Sequence, residues 1–90
     1  MADMQERFEA AQAASRKLRD KPDNDTLLEL YSYFKQATEG DAGEARPSAF
    51  DFVARAKYDA WAARNGMTRD VAMRGYIQLV EHLESLESGR

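Results

Sequence analysis

The sequence predicts an all-α fold, a small four-helix bundle formed by a single domain spanning residues 1–90. Three observations carry this expectation. Apolar residues recur at helical spacing in four stretches, clusters of turn formers separate those stretches, and no segment shows the two-residue alternation of a strand. Ninety residues suit one domain with one modest core.

The first helix is expected over residues 4–18, where Met4, Phe8, Ala11, Ser15 and Leu18 trace one stripe and Glu6, Arg7, Glu9 and Gln12 occupy the other faces. Lys21-Pro22-Asp23-Asn24-Asp25 interrupts it, because proline restricts its predecessor and the acidic cluster offers acceptors for unpaired helix amides. A second helix follows over 24–38 with Leu27, Leu30, Phe34 and Ala37 on one side and Gly40 as its stop. Residues 40–48 lack periodicity and read as the long connection. From Phe52 a third helix uses Val53, Ala56, Ala60 and Ala63 until Asn65-Gly66 breaks it. Thr68 caps a fourth, whose buried side is Ala72, Met73, Tyr76, Ile77, Val80 and Leu83. Gly75 lies inside that helix at a cost of about 1 kcal/mol relative to alanine, which points to close approach of a neighbouring helix or a ligand. The end of the polar tail from Glu84 to Arg90 is expected to fray.

Composition excludes several functions. The chain has no cysteine, so disulfides, thiolate metal sites and cysteine nucleophiles are ruled out. Thirteen Lys+Arg against 16 Asp+Glu give a net charge of −3, the wrong sign for general nucleic-acid binding. The amino terminus lacks the basic start and apolar run of a secretory signal, and no apolar run approaches the roughly 20 residues that span a bilayer. The expectation is a soluble cytoplasmic monomer without membrane insertion. His82 is the single histidine, which leaves a metal site to carboxylates almost alone, so no metal is expected. No Gly-x-Ser-x-Gly turn presents a serine to it, and the acids are scattered over polar faces, so no catalytic residue is assigned.

Two patches carry more specific chemistry. In one, Tyr31 and Lys35 are i, i+4 neighbours with Phe34 on the same flank; in the other, Lys57 adjoins Tyr58 and precedes Trp61 by one turn. Rings beside cations suit an aromatic anion, a nucleotide-like ligand whose base needs a flat apolar surface and whose phosphates need fixed charge. Tyr76 interrupts an aliphatic face, and its hydroxyl requires a polar partner. The ordinary alternative is that these rings are core and the lysines solvated. Lys21 and Arg55 are further basic positions, read as solvated surface.

The chain resembles the acyl-CoA-binding proteins over nearly its whole length. The pattern runs through Lys21-Pro22, the segment from Leu28 to Asp41, Arg46-Pro47, Ala56-Lys57-Tyr58-Asp59-Ala60-Trp61, and Ala72-Met73 with Tyr76-Ile77. The resemblance implies an up-down-down-up bundle that binds, buffers and transports long-chain fatty acyl-CoA without catalysis and without a cofactor. It implies ligand roles for Tyr31, Lys35, Lys57 and Tyr76 around the adenine and the 3′-phosphorylated ribose. Arg16 stands where relatives often carry a lysine, Phe34 where a tyrosine is common, and Tyr58 where a tryptophan is frequent. Lys35 and Lys57 would converge on the 3′-phosphate, while the acyl chain gains from leaving water at about 0.8 kcal/mol per methylene. Enzymes that use acyl-CoA are the further partners implied.

Two rival readings stand beside it. An acyl carrier protein is also small, acidic and helical, but it presents its serine as Asp-Ser-Leu at a helix start, whereas Glu84-Ser85-Leu86 ends the last helix here. A helical protein-interaction module without a small-molecule ligand would use its aromatics to dock a partner.

Overall fold

The computed structural model describes residues 3–89 and places four α-helices along the chain: α1 (Met4–Ser15), α2 (Asn24–Glu39), α3 (Phe52–Ala62) and α4 (Arg69–Ser88). No strand occurs among the described residues. Each helix begins with a side chain that accepts from an otherwise unpaired amide of its first turn. Asp3 accepts from Glu6, Asp23 from Thr26, Asp51 from Ala54 and Thr68 from Val71, at 2.8, 2.8, 3.1 and 3.2 Å. Gly40 ends α2 with φ 81°, a backbone angle that side chains disfavour, and its N–H closes on the Gln36 carbonyl.

α1 stops three residues before the expected boundary. Ser15 Oγ turns back to the Gln12 carbonyl at 2.7 Å, and the amides of Arg16 and Lys17 reach Ala13 and Ala14, tightening the last turn. The chain then swings toward the far end of α4, where the Arg19 guanidinium donates to the Glu87 carbonyl at 2.9 Å and the Asp20 amide to the Glu87 carboxylate at 3.0 Å. These contacts tie the last turn of α4 to the segment after α1: α4 is helical to Ser88, while Arg90, at the end expected to fray, lies outside the described residues.

α4 packs against α1 and α2, and α3 packs against α2 alone. The core therefore sits among α1, α2 and α4, around Phe8, Leu30, Ala72, Tyr76, Ile77 and Val80. The predicted stripes of α1, α2 and α4 face it except at Leu18, which lies beyond the end of α1, and Leu27, which is turned toward α3. Phe8 is its hub, 1% exposed, with the Tyr76 ring edge-on at 5.2 Å and the Phe34 ring tilted at 6.2 Å. Gly75 faces the Tyr33 ring so closely that an added Cβ would lie 2.5 Å from it, so the close approach inferred from sequence comes from α2.

The stripe read for α3 is not a core face. That helix buries no residue; Val53 is 71% exposed, and only Ala60 of the four expected positions is even half-buried. The reason is its single neighbour: with α4 occupied by α1 and α2, the apolar first turn of α3 borders an open trough.

A polar knot instead fixes the ends of α3. Gln36, 1% exposed, donates its amide to Asp41 at 2.8 Å and to the Met67 carbonyl at 2.9 Å. Asp41 also accepts from the Gly66 amide at 2.8 Å. Arg64 crosses to Ser32 Oγ at 3.1 Å and lies 4.1 Å from the Tyr33 ring centroid. These bonds join residues 31, 32 and 25 positions apart, so the long connection and the α3–α4 turn are locked onto α2.

Candidate ligand-binding site

Between α2 and α3 lie two adjoining hollows. One, of about 450 Å³, is walled by Tyr31, Pro47, Asp51, Lys57, Tyr58 and Trp61. The other, of about 560 Å³, is mostly apolar and bordered by Leu27, Leu28, Phe52, Val53 and Ala56. Tyr31, Val53 and Lys57 line both, so a polar aromatic end passes directly into an apolar one.

The α2–α3 pairing sets this geometry. Tyr31 reaches the hollows from α2, and Lys57 reaches across from α3 to place its ammonium 4.9 Å from the Tyr31 ring centroid. Trp61, one turn beyond Lys57, donates its indole N–H to the Gly40 carbonyl at 2.8 Å, which fixes the ring plane and ties down the start of the long connection. The Tyr58 hydroxyl donates to the Gly43 carbonyl. Arg46 forms a two-pronged pair with Asp59, at 3.1 and 2.9 Å, securing the connection to α3 near Pro47. The Arg46 fork holds the Asp59 carboxyl below its ordinary range, and the Gly66 amide, with Gln36, does the same for Asp41.

Lys35 does not line either hollow. Its ammonium is paired with the Glu39 carboxylate one turn on and lies 4.8 Å from the Trp61 ring centroid. Of the other sequence-predicted positions, Phe34 and Tyr76 belong to the cluster around Phe8. Tyr76 is 6% exposed and its hydroxyl sits 3.2 Å from Ser15 Oγ, the polar partner that its chemistry demanded. Arg16 is exposed at the end of α1. Lys21 borders a separate hollow with Leu18 and Leu86, and Arg55 is half-buried with its Nε lacking a hydrogen-bond partner. Thus Tyr31 and Lys57 meet directly, Lys35 joins them through Trp61, and Phe34 and Tyr76 each pack on Phe8 in the core. Phe52 and Leu28, which shape the apolar hollow, were not singled out from sequence. The signal available was an aromatic at the first turn of α3 with no predicted helix to cover it.

A family model described as acyl-CoA-binding protein matches residues 5–80. The chain belongs to the acyl-CoA-binding protein family. It is 42% identical over 76 residues to acyl-CoA-binding protein homolog 1 of Caenorhabditis elegans, covering 84% of this chain and 88% of the relative. With the acyl-CoA-binding protein homolog of Manduca sexta it shares 43% identity over 81 residues, 89% of this chain and 90% of that one. The crystal structure of Oryza sativa acyl-CoA-binding protein 2 superposes with a TM-score of 0.89 at 38% identity, across 94% of this chain and 92% of the other. The all-α, up-down-down-up arrangement anticipated from the family motifs is the fold found. Family membership also accounts for the density of the motif between Leu28 and Asp41: Tyr31 faces the hollows, while Gln36 and Asp41 build the knot that holds α3 beside them.

Proposed function

We propose that this chain binds long-chain fatty acyl-CoA thioesters non-catalytically, buffering them and carrying them through the cytoplasm to acyl-CoA-using enzymes, as a monomer. The observation that carries the reading is the junction of the two hollows at Tyr31 and Lys57 in a member of this family. The adenine is a flat π-system suited to the Tyr31 ring, and the Lys57 ammonium is within reach of the same space to neutralise a phosphate. Lys35 supplies a second positive charge beside Trp61. Arg16, Phe34 and Tyr76 complete the proposed site, the last two from the core side, where their rings pack around Phe8 and back the helix that presents Tyr31.

The acyl chain takes the apolar end, beside Leu27, Leu28 and Phe52. Chain burial dominates the energetics. Eight additional methylenes approach 6 kcal/mol at about 0.8 kcal/mol each, well above the ~0–1 kcal/mol of an exposed ion pair. Calorimetric titration with acyl-CoA from eight to 16 carbons, ~0.8 kcal/mol per methylene at most, therefore gives affinity that climbs with length until the trough is filled. Equal affinity for free CoA and every thioester would reject the reading.

A further inference from the structure

Lys35 carries a charge that the site does not freely possess. Its side chain is 20% exposed, its ammonium is paired with Glu39, and it rests against the indole of Trp61, whose ring helps wall the polar hollow. Lys57, by contrast, faces both hollows, and among the described residues its ammonium has no carboxylate within ion-pair distance. A phosphate arriving between the two lysines meets one cation ready and one already neutralised. To engage Lys35 it must displace a carboxylate that is 53% exposed and free to swing into water.

We infer that Glu39 is an affinity-setting competitor: its carboxylate occupies Lys35 in the empty protein and is exchanged for a ligand phosphate on binding. This inference rests on the acyl-CoA reading and adds a residue to it. Trp61 makes the exchange local. Anchored to the Gly40 carbonyl at 2.8 Å, its ring stands between the polar hollow and the Lys35 ammonium 4.8 Å from its centroid, so only the ammonium's partner changes. The empty protein loses the Lys35–Glu39 ion pair on binding, a cost that the ligand's own phosphate contact must offset. Removing the charge at position 39 should therefore tighten binding of a phosphate-bearing ligand, and only while Lys35 is present. The fold should tolerate the change, because Glu39 is exposed at the last turn of α2, where a negative charge opposes the helix dipole.

The test is a double-mutant cycle read by calorimetry. Glu39→Gln, Lys35→Ala and the double variant are titrated with palmitoyl-CoA and with its 3′-dephospho counterpart at low and at raised salt. Glu39→Gln is expected to lower the Kd for palmitoyl-CoA about two- to fivefold at low salt, the scale of a surface ion pair, and by less as salt screens it. In the Lys35→Ala background the same change is expected to leave Kd unaltered. An equal gain in both backgrounds would show general repulsion and overturn the exchange. So would an unchanged Kd in Glu39→Gln while the parent binds normally. A gain of equal size on the dephospho ligand assigns the exchange to another phosphate, and no gain there assigns it to the 3′-phosphate; both support it. Failure of the parent protein to bind palmitoyl-CoA at all would sink the acyl-CoA reading and this inference with it.

Discussion

Replacing Gly75 by alanine sets two opposed effects against each other, and the structure decides which wins. By helix propensity alone the change should stabilise α4 by about 1 kcal/mol. The added Cβ, however, would lie 2.5, 2.8 and 2.9 Å from three carbons of the Tyr33 ring, where ordinary contact begins at 3.4 Å. Something must move by about an ångström. The ring is flat and stiff and carries Arg64 on its face at 4.1 Å, and Arg64 in turn holds Ser32 at 3.1 Å, so the ring cannot retreat alone. Overpacking of this kind costs roughly 1–3 kcal/mol, and loosening the cation–ring contact adds about 0.5–1 kcal/mol. The balance is a net loss of about 0.5–3 kcal/mol, which for a domain of this size lowers Tm by roughly 4–8 °C per kcal/mol. Urea unfolding followed by far-UV circular dichroism measures it. In a Tyr33→Ala background the obstruction is gone, and Gly75→Ala should turn neutral or stabilising. An increase in the urea midpoint on the unmodified background would refute the idea that Tyr33 is what holds glycine at this position.

Three further outcomes are expected. Phe8→Ala empties the hub of the core and should destabilise by about 3–5 kcal/mol in the same unfolding assay, enough to unfold much of a chain this small at physiological temperature. Lys57→Ala should weaken palmitoyl-CoA at least tenfold by calorimetry while leaving the unfolding midpoint within about 0.5 kcal/mol of the parent, because the lysine is exposed and its loss touches no core contact. Asp41 should contribute to acid lability. The Gly66 amide and Gln36 depress its folded-state pKa below the ordinary 3.8, so in that range the unfolded chain binds more protons. Stability from this group is then complete above 3.8 and is lost as pH falls through the depressed value. Asp41→Asn should flatten that acid limb in urea midpoints measured across it, and an unchanged slope would remove Asp41 as a cause.

The helices were readable because their determinants are local. Periodicity of 3.6 residues, an Asp or Thr one residue before each start, and glycines at Gly40 and Gly66 all act within a few positions of one another. The motif residues that place the chain in its family were equally legible, as was the Lys35–Glu39 spacing of one helical turn. Where structure and sequence pattern differ, the cause lies in contacts between distant residues. α1 ends short of its apolar stripe because Arg19 and Asp20 turn to meet Glu87, more than 60 positions away, and nothing local shows it. The α3 stripe stays outside the core because an apolar stripe looks the same whether a helix covers it or not.

What the sequence determined by itself was where helices begin and end to within a turn, which faces of α1, α2 and α4 are apolar, and which family the chain resembles. Packing between distant elements is what leaves α3 touching α2 alone, with Phe52 and Val53 beside a trough, and turns Tyr76 toward Phe8 and Ser15 in place of the hollow. The division has a simple physical origin. Helix propensity and capping depend on residues a turn apart, whereas a trough is the space left between two helices held at a distance by others. Here that spacing is set by the buried Gln36 amide, Asp41, Arg64 and Trp61 acting across 5 to 32 positions of chain, and no local pattern encodes their meeting.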